Sequence, residues 1–509
     1  MRELNVPTLN EILDSSAAKY GEDPFIEFVC DKEVCKKSYV RFRSDVLSVA
    51  AYIRSLFPGK AHIAVASKTN YEYIVVLMAV IASGNVLVPL APEVLPEEAS
   101  RLMKSADVTG FFYGKSFEPK ADDIGALCPF LEHSINFAEP GFIDGKVSEF
   151  PDLEKFDIDK NDCVAIVFTS GTTGKKKGVM LSTNSLIGNI LYTDYWPVLT
   201  RGRSVLSVLP MHHLYCFSGD IIRNLRDGVT VCLNGELRDL NRNLLRFSPY
   251  VMRVVPLIAA SLLQKAKAYA AKNPGMAPRE VAEAVYGKNL KQIISGAAYL
   301  NPEIIDEYKK MGIHIQQGYG MTEAGCRISV PDINAPDDCV GRVIDICDVR
   351  VQGGEIQVHT PSVMLGYYKM PEDTAACFTS DGWLRTGDIG HVSEEGYLFI
   401  TGRLKNLIIL SGGENISPEA IEKKFAGFHA ISEIMVYEEN NHLAADIHPD
   451  YDYCAENGID DVENYIREHV KAVNLTAKPS HIIAEVRIIK DPLPKNHMGK
   501  IKRKRTIIN

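Results

Sequence analysis

The chain contains the apolar run Val164-Ala165-Ile166-Val167-Phe168, which leads directly into Thr169-Ser170-Gly171-Thr172-Thr173-Gly174-Lys175-Lys176-Lys177-Gly178. A short apolar run of this kind is typical of a buried β-strand. The polar segment suits a polyphosphate, because glycines let backbone N–H groups approach, hydroxyls donate hydrogen bonds and lysines neutralise charge. Its spacing differs from the Walker P-loop, which has four residues between its first glycine and its Gly-Lys pair. A solvated turn rich in lysine and glycine would have the same composition, so other segments must distinguish the two.

Apolar runs of strand length alternate with helical patterns through most of the chain. Strands are predicted at residues 62–67, 85–90, 164–168, 204–209, 229–233 and 292–295, and a helix at residues 71–82. Such alternation indicates α/β layers with largely parallel sheets. The segment Thr8-Leu9-Asn10-Glu11 matches a capping box and predicts that a helix begins there.

The pattern changes near residue 400. Residues 388–391 and 396–402 predict a hairpin. After it we predict a helix at residues 419–425, strands at 433–437, 443–447 and 482–489, and a helix with Val462, Tyr465, Ile466 and Val470 on one face. These elements predict a large domain of residues 1–402, a small α+β domain of residues 403–509, and a hinge at residues 402–405.

The charge and the apolar segments exclude several classes of partner. A net charge of −9 gives no global attraction to nucleic acid or to an anionic membrane. The most membrane-like segment, residues 73–91, is interrupted by Ser83, Gly84, Asn85 and Pro89, whereas a membrane span needs about 20 apolar residues. We therefore predict a buried helix and a short strand there. The N-terminal residues lack the apolar stretch of a signal peptide, so a cytoplasmic location is expected.

The 11 cysteines show no metal-ligand spacing. Four residues separate Cys30 from Cys35, and no close pair of histidines completes a zinc set. The cysteines are scattered among apolar segments, as at Cys163, Cys216, Cys232 and Cys347, which predicts reduced, buried thiols in a cytosolic protein.

Residues 168–182 (FTSGTTGKKKGVMLS) resemble the signature loop of the adenylate-forming superfamily, which comprises acyl-CoA synthetases, luciferases and adenylation domains. Lys176 is a departure, since the family usually has proline there. The resemblance implies a large, multi-sheet α/β adenylation domain that binds ATP and the acyl group, followed by a small, mobile α+β lid. In this loop it implies the nucleotide ligands Thr169, Ser170, Gly171, Thr172, Thr173, Gly174 and Lys177.

A second strong motif is Gln317-Gly318-Tyr319-Gly320-Met321-Thr322-Glu323. The resemblance implies that Tyr319 stacks on adenine, Thr322 bonds the α-phosphate and Glu323 holds Mg²⁺, a hard cation that prefers carboxylates. Thr169 is the other implied metal ligand. The remaining implied nucleotide contacts are Gly318, Gly320 and Met321, together with the small residues Gly296, Ala297 and Ala298 of a turn that faces adenine and the acyl chain. A glycine-rich structural turn would explain this composition, but not its coincidence with the first loop.

The other matching segments supply single residues. His213, in Leu209-Pro210-Met211-His212-His213, matches a histidine that flanks the acyl carboxylate, although a lone histidine is more often structural. Asp388 matches the aspartate that binds the ribose hydroxyls. The implied contributors that complete the set are Arg403 and Ile400 for the nucleotide, Lys405 at the hinge, Gly413 and Asn415 near the pantetheine arm, and Lys500 as the catalytic lysine of the basic tail. Solubility or nucleic-acid contact is the alternative for that tail.

The set implies an enzyme that uses ATP and Mg²⁺ to convert a carboxylic acid to its acyl-AMP, releases pyrophosphate, and transfers the acyl group to coenzyme A. Between the two steps the small domain would swing, removing Lys500. The segment from His213 has no acidic residue before Asp220, which argues against an α-amino acid and favours a fatty or aryl acid. The small side chains of Ser218 and Gly219 predict room for a longer chain.

Two other functions remain open at this stage. One is a stand-alone adenylation protein that loads a separate acyl carrier protein, which presents the same pantetheine arm. Coenzyme A is favoured because the chain has no carrier domain and no insertion between Arg403 and Asn415. The other is an inactive nucleotide-binding sensor, which would be expected to lose Lys500 or Glu323 first.

Overall fold

The computed structural model describes residues 5–150, 153, 158–170, 176–191, 199–410, 414–495, 501 and 503. Its α-helices are Leu9–Tyr20, Tyr39–Leu56, Tyr71–Ala82, Pro96–Ser105, Ala121–Leu127, Phe142–Glu149, Asn189–Leu191, Leu214–Cys216, Arg223–Asp227, Leu240–Phe247, Pro256–Lys272, Pro278–Tyr286, Pro302–Lys310, Pro371–Ala376, Pro418–Glu422, Tyr451–Glu456 and Val462–Leu475. Wider π-helical turns lie at Asn184–Gly188 and Phe217–Ile222. Single 3₁₀ turns lie at Glu118–Lys120, Leu237–Asp239, Thr322–Ala324, Leu404–Asn406, Lys423–Phe425 and Pro479–His481.

Two seven-stranded sheets form the N-terminal part of the molecule. The first has the order His314–Gln317, Gln292–Ser295, Val251–Val254, Ser204–Ser207, Thr230–Leu233, Pro24–Cys30, Glu33–Ser38. The second has the order Gly366–Tyr367, Lys176–Ser182, Cys163–Ser170, Val86–Leu90, His62–Ala66, Val108–Tyr113, His133–Asn136. Neighbours are parallel except for one hairpin in the first sheet and the first two pairings of the second. The predicted α/β class with largely parallel sheets is confirmed.

The remaining strands form smaller sheets. An antiparallel sheet contains Asp348–Gln352, Glu355–His359, Leu384–Val392 and Leu398–Arg403, and a two-stranded pair joins Ser329–Val330 to Arg342–Val343. Further along the chain, the strand Ile408–Ile409 pairs with Asn415–Ile416. A three-stranded sheet then contains Ile431–Glu439, His442–Pro449 and Ile483–Ile488. One hydrophobic cluster draws all its members from the described residues at or after Ile408, so this C-terminal module has a core of its own.

Several local predictions are confirmed. The capping box is present, since the backbone N–H of Glu11 donates to Thr8 Oγ1 at 3.2 Å and that of Thr8 donates to Glu11 Oε2 at 2.6 Å. The helix Tyr71–Ala82 is buried along almost its whole length. No helix in the described part of the chain is long and apolar enough to cross a membrane.

Other elements differ from prediction in their bounds or faces. The strand predicted at residues 164–168 runs from Cys163 to Ser170, because it pairs antiparallel with Lys176–Ser182 as far as Ser170. The strand predicted at residues 204–209 ends at Ser207, where its pairing with Thr230–Leu233 ends. Tyr465 was predicted on the buried helix face and is 43% exposed, because it precedes the buried Ile466 and so points about 100° away from it.

The cysteines follow the prediction with one exception. Cys163, Cys216, Cys232 and Cys347 are free thiols, and all but the partly exposed Cys163 are buried. Cys30 and Cys35, however, are joined as a disulfide across the hairpin of Pro24–Cys30 and Glu33–Ser38. The expectation of reduced thiols is wrong for this pair, because the strand pairing brings the two side chains together.

Candidate active site

The predicted acyl and adenine segments meet at the carboxyl edge of the first sheet. The N–H of Gly296 donates to the Val254 carbonyl at 3.1 Å, and the N–H of Gly318 donates to the Ser295 carbonyl at 3.0 Å. These bonds continue the pairing of adjacent parallel strands beyond their ends. Ligands of open α/β sheets bind outside the carboxyl ends of the strands, so both segments lie where a ligand is expected.

The turn at Gly296 packs against the segment that follows His213. A Cβ atom on Gly296 would lie 3.2 Å from Cζ of Tyr215, so a side chain there would push the ring back by a few tenths of an ångström. Ala297 adopts φ +69°, a strained conformation for a residue with a side chain. Ala297 and Ala298 are exposed, and His213 is half-buried with its ring centroid 4.2 Å from that of His212. The two segments therefore share one wall of the candidate site.

Gly320 allows the chain to fold back tightly after Tyr319. A Cβ atom at this position would lie 1.7 Å from the carbonyl oxygen of Cys326, which excludes any other residue without a backbone shift. The turn that follows contains Thr322 and Glu323, and the Cys326 N–H closes it by donating to the Met321 carbonyl at 3.0 Å. Backbone contacts therefore fix the predicted motif both at Gly318, before Tyr319, and at Gly320, after it.

Asp388 is the centre of one polar cluster. Its Oδ2 accepts a hydrogen bond from the Tyr319 hydroxyl at 2.5 Å, and its Oδ1 pairs with Arg403 Nε at 2.8 Å. Arg403 faces Asp388 across the antiparallel pair Leu384–Val392 and Leu398–Arg403. Burial first, and then the negative Asp388, raise the pKa of Tyr319 well above its usual value. A carboxylate has about four acceptor positions, so one such group can accept several hydrogen bonds at once.

Glu323 is the centre of a second polar cluster. Its Oε1 accepts a hydrogen bond from the Tyr367 hydroxyl at 2.8 Å, and burial followed by the Glu323 charge raises the pKa of that tyrosine. The Lys177 ammonium lies 4.8 Å from the Tyr367 ring centroid and 2.5 Å from Asp373 Oδ1. Tyr367 therefore links the hairpin of the predicted phosphate loop to the predicted metal ligand. Since Tyr319 and Glu323 are four residues apart in one turn, the two clusters are neighbours.

Some predicted residues cannot be located. Gly171, Thr172, Thr173, Gly174, Gly413 and Lys500 lie outside the described residues. Thr169 and Ser170 end the strand Cys163–Ser170, where Thr169 faces Lys177. Ile400 contributes its carbonyl oxygen to the Lys423 ammonium at 2.8 Å, and Asn415 is exposed in a short strand. Burial, followed by the like charge of Arg403, lowers the pKa of Lys405.

A divalent cation could be held only with help from the nucleotide. Within the described ranges, no group of three or more His, Cys, Asp or Glu side chains could hold a metal ion. Mg²⁺ usually binds one or two carboxylates plus substrate phosphates and water. A single carboxylate, Glu323, fits that mode of binding, and its partner Tyr367 lies on the strand that pairs with Lys176–Ser182.

Described residues on either side of the segment that contains Lys500 have defined partners. Ile501 forms a β-bridge with Lys495, whose ammonium pairs with Glu433. Arg503 Nη1 donates to Glu422 Oε1 at 3.0 Å, and a second guanidinium nitrogen pairs with the other oxygen of that carboxylate. Burial raises the pKa of Glu422, and Arg503 opposes the shift.

We expect Arg503→Ala to lower about tenfold the adenylation activity that the sequence resemblance implies. The reason is that Arg503 anchors the chain next to Lys500, the implied catalytic lysine, and a reactive group displaced by about 1 Å can lose that much or more. Glu422 would also be left as a largely buried carboxylate without its bidentate partner. Pyrophosphate exchange measures the rate, and thermal unfolding checks that the domain stays folded. The control is Arg467→Ala, which removes an exposed ion pair with Glu463 from the same module. An exchange rate equal to that of the control variant would contradict the anchoring role.

The fold and the paired polar clusters define a nucleotide-binding enzyme of the α/β class. The sequence matches the AMP-binding enzyme family over residues 13–368, so the chain belongs to that family. The resemblance to adenylate-forming enzymes is thereby confirmed.

Relatives agree with this membership. The chain is 31% identical over 383 residues to 4-coumarate--CoA ligase 3 of Arabidopsis thaliana, an alignment that covers 70% of this chain and 64% of the relative. It thus spans less than two thirds of that relative. It is 25% identical over 499 residues to the putative acyl--CoA ligase YdaB of Bacillus subtilis (strain 168), covering 93% of each chain. The fold matches the crystal structure of ATP-bound MatB from Rhodopseudomonas palustris, with TM-score 0.82, 24% identity and 97% of each chain covered.

The expected room beside Gly219 is already filled. A Cβ atom on Gly219 would lie 3.1 Å from Arg327 Nη2 and 3.2 Å from Arg253 Nε. Ser218 is fully buried. The prediction that these small residues leave room for a longer chain is wrong, because two guanidinium groups occupy that space. Neither arginine was predicted as a site residue, since each is separated from Gly219 by a long stretch of sequence.

Proposed function

We propose that the chain is an AMP-forming acid–thiol ligase that acts on a non-amino carboxylic acid and uses coenzyme A as acceptor. The observation that supports this most strongly is the adjacency of the Asp388 and Glu323 clusters. Through Tyr319 and Glu323, one turn contributes to both. A nucleotide with its ribose at Asp388 and its phosphates towards Glu323 and Lys177 would span them.

In the first step, an oxygen of the acid's carboxylate attacks the α-phosphorus of ATP. A new P–O bond forms, the bond to the bridging oxygen of the β-phosphate breaks, and pyrophosphate leaves. In the second step, the deprotonated thiol attacks the carbonyl carbon and AMP leaves. Because both reactants of the first step are anions, catalysis depends on holding them in line and neutralising the phosphoryl oxygens.

Each residue has a defined task in this proposal. Thr322 and Lys177 donate to phosphate oxygens, Lys500 neutralises charge between the carboxylate and the α-phosphate, and His213 orients the carboxylate. A bound Mg²⁺ ion supplies further positive charge to the phosphates, and Glu323 is the side chain that would hold it. The small domain, residues 403–509, turns about Lys405 after adenylation so that the loop with Gly413 and Asn415 meets the pantetheine arm. We place the reaction in the cytoplasm, where ATP and coenzyme A are both available.

The test is ATP–pyrophosphate exchange across a panel of carboxylic acids from acetate to palmitate, with aryl and amino acids included. We expect exchange with one class of non-amino acid and, after addition of coenzyme A, a thioester detected by mass spectrometry. Pyrophosphate exchange without formation of a coenzyme A thioester would contradict coenzyme A as the acceptor and favour a separate acyl carrier protein. ATP binding without exchange for any acid would favour the inactive sensor.

A further inference from the structure

A cavity of about 390 Å³ opens at one edge of the second seven-stranded sheet. Three of the polar residues that line it, His62, Asp107 and Glu132, lie at the amino ends of neighbouring parallel strands. The strand Cys163–Ser170, which leads to the predicted phosphate loop, ends at the opposite edge of the same sheet. Small-molecule sites usually have volumes of about 300–1,000 Å³. The cavity therefore has the size of a ligand site and lies away from the candidate active site.

The walls of this cavity are partly aromatic. Phe57, which follows the helix Tyr39–Leu56, is a buried part of the lining. A Cβ atom on Gly110 would lie 2.5 Å from Cζ of Phe57, so the ring rests on the sheet because residue 110 has no side chain. The Tyr368 ring forms another wall and meets the His62 ring edge-on, with the centroids 5.4 Å apart. Rigid aromatic walls of this kind suit the apolar body of a small organic molecule.

The positive charges at the cavity are already paired within the protein. Lys60 Nζ lies 2.9 Å from Asp162 Oδ2. Asp107 accepts hydrogen bonds from the Lys369 ammonium at 2.7 Å and from the Tyr368 hydroxyl at 2.6 Å. These two bonds, Lys369 first, lower the pKa of Asp107, which keeps this carboxylate ionised at neutral pH. Each ammonium group is therefore balanced by one carboxylate.

Glu132 is a further carboxylate, and no cation of the protein balances it. Its backbone N–H donates to the Thr109 carbonyl at 2.8 Å, which holds its main chain at the rim of the cavity. Among the residues that the structure describes, its side chain has no hydrogen-bond or ion-pair partner. With Lys60 and Lys369 each paired, the cavity has an excess of one negative charge. This excess favours a cationic ligand over an anionic one.

His62 provides a second hydrogen-bond acceptor in the lining. Its Nδ1 lies 2.5 Å from the carbonyl oxygen of Ala106. Because a carbonyl oxygen can only accept, Nδ1 carries the hydrogen, and the neutral ring keeps Nε2 as an acceptor. A primary ammonium group has positive charge and three N–H donors, so it can satisfy a carboxylate and an imidazole nitrogen together.

We propose that this cavity binds a primary amine with a short aromatic or apolar body. Glu132 and Nε2 of His62 accept hydrogen bonds from its ammonium group, and its body packs against Phe57 and Tyr368. The site does not depend on the acid–thiol ligase reaction, because its lining residues have no part in that reaction.

Two consecutive tyrosines separate this cavity from the predicted metal ligand. The Tyr367 hydroxyl donates to Glu323, whereas the Tyr368 hydroxyl donates to Asp107 at the cavity. Successive side chains of an extended chain point to opposite faces, so the two rings serve different sites. The amine and ATP should consequently bind at the same time.

The test uses phenethylamine as the probe and 2-phenylethanol as its uncharged counterpart, each titrated into the full-length protein at pH 7 and followed by ligand-detected NMR. We expect phenethylamine to bind at least about tenfold more tightly, because only the ammonium forms a charge-assisted hydrogen bond with the carboxylate. Glu132→Gln should remove this preference. Saturating ATP should leave the dissociation constant of phenethylamine unchanged.

The matched control is Glu139→Gln. Glu139 is exposed and follows the strand His133–Asn136, whereas Glu132 precedes it, so the two carboxylates lie at opposite ends of one strand. The control should keep the wild-type preference for phenethylamine. Absence of binding, equal binding of the two probes, or a preference that survives in Glu132→Gln would overturn the inference. Displacement of phenethylamine by ATP would also overturn it, because the amine would then occupy the nucleotide site.

Discussion

Lys500→Ala is expected to lower the rate of acyl-AMP formation by about 10²–10³-fold, the usual loss when one preorganised charge-stabilising group is removed. The physical reason is that two anions must approach each other at the α-phosphorus. The ammonium group is predicted to neutralise part of that charge. Thioester formation from separately prepared acyl-AMP should stay within a few-fold of the wild-type rate, because the small domain is proposed to carry Lys500 away from the site before the thiol attacks.

The two half-reactions are measured separately, the first by pyrophosphate exchange and the second by coenzyme A thioester formation from synthetic acyl-AMP. The control is Lys490→Ala, which removes an exposed lysine from the same module. Both half-reactions of the control should match those of the wild type. Equal losses in the two half-reactions of Lys500→Ala, with normal unfolding, would show that this lysine has no special role in adenylation.

Asp388→Ala is expected to lower kcat/KM for ATP by roughly 10²–10⁴-fold. Two hydrogen bonds from the ribose to a charged carboxylate are lost, each worth about 1.5–3 kcal/mol. The Tyr319 hydroxyl and the Arg403 guanidinium also lose the acceptor they share. Asp381→Ala is the control, because Asp381 is 56% exposed and is paired with Arg350, which lies on the end strand Asp348–Gln352 of the same sheet. Exposed pairs contribute about 0–1 kcal/mol, so this variant should retain activity.

A double-mutant cycle separates ribose binding from structural support. Wild-type enzyme should use 2′,3′-dideoxy-ATP far less well than ATP, whereas Asp388→Ala should not distinguish the two nucleotides. A variant that merely loosens the sheet would lower activity with both nucleotides and keep the wild-type discrimination. If Asp388→Ala still preferred ATP to 2′,3′-dideoxy-ATP, the Asp388 carboxylate would not be the group that binds the ribose hydroxyls.

Local features of the fold were predictable because they depend on neighbouring residues. The helix Tyr71–Ala82 and the strand Gln292–Ser295 have their predicted bounds, and the capping box at Thr8 forms as expected. In the C-terminal module, the strands Ile431–Glu439 and His442–Pro449 are longer than predicted. Their turn uses Asn440 and Asn441 at positive φ, a conformation that asparagine tolerates, so pairing continues to the turn itself.

The residues of the candidate site also divide into those that the local sequence identified and those that only tertiary contacts identified. Tyr319, Glu323 and Asp388 could be singled out by a motif because glycines and polar residues recur at fixed short spacings around them. Tyr215 and Tyr367 received no role, although the first packs on Gly296 and the second donates to Glu323. Their importance depends on which segments are adjacent in space, and no local pattern encodes that.

The sequence by itself determined the α/β class, which follows from periodicity, and membership of the AMP-binding enzyme family, which follows from short motifs. It also predicted which loops would face a nucleotide. Only the tertiary structure decided what lies beside Gly219. Small residues at that position suggested empty space, yet Arg253 and Arg327 fill it from strands and turns far along the chain. The physical reason is that sheet order and strand register bring distant side chains to one point, where they fill space that the local sequence suggested was empty.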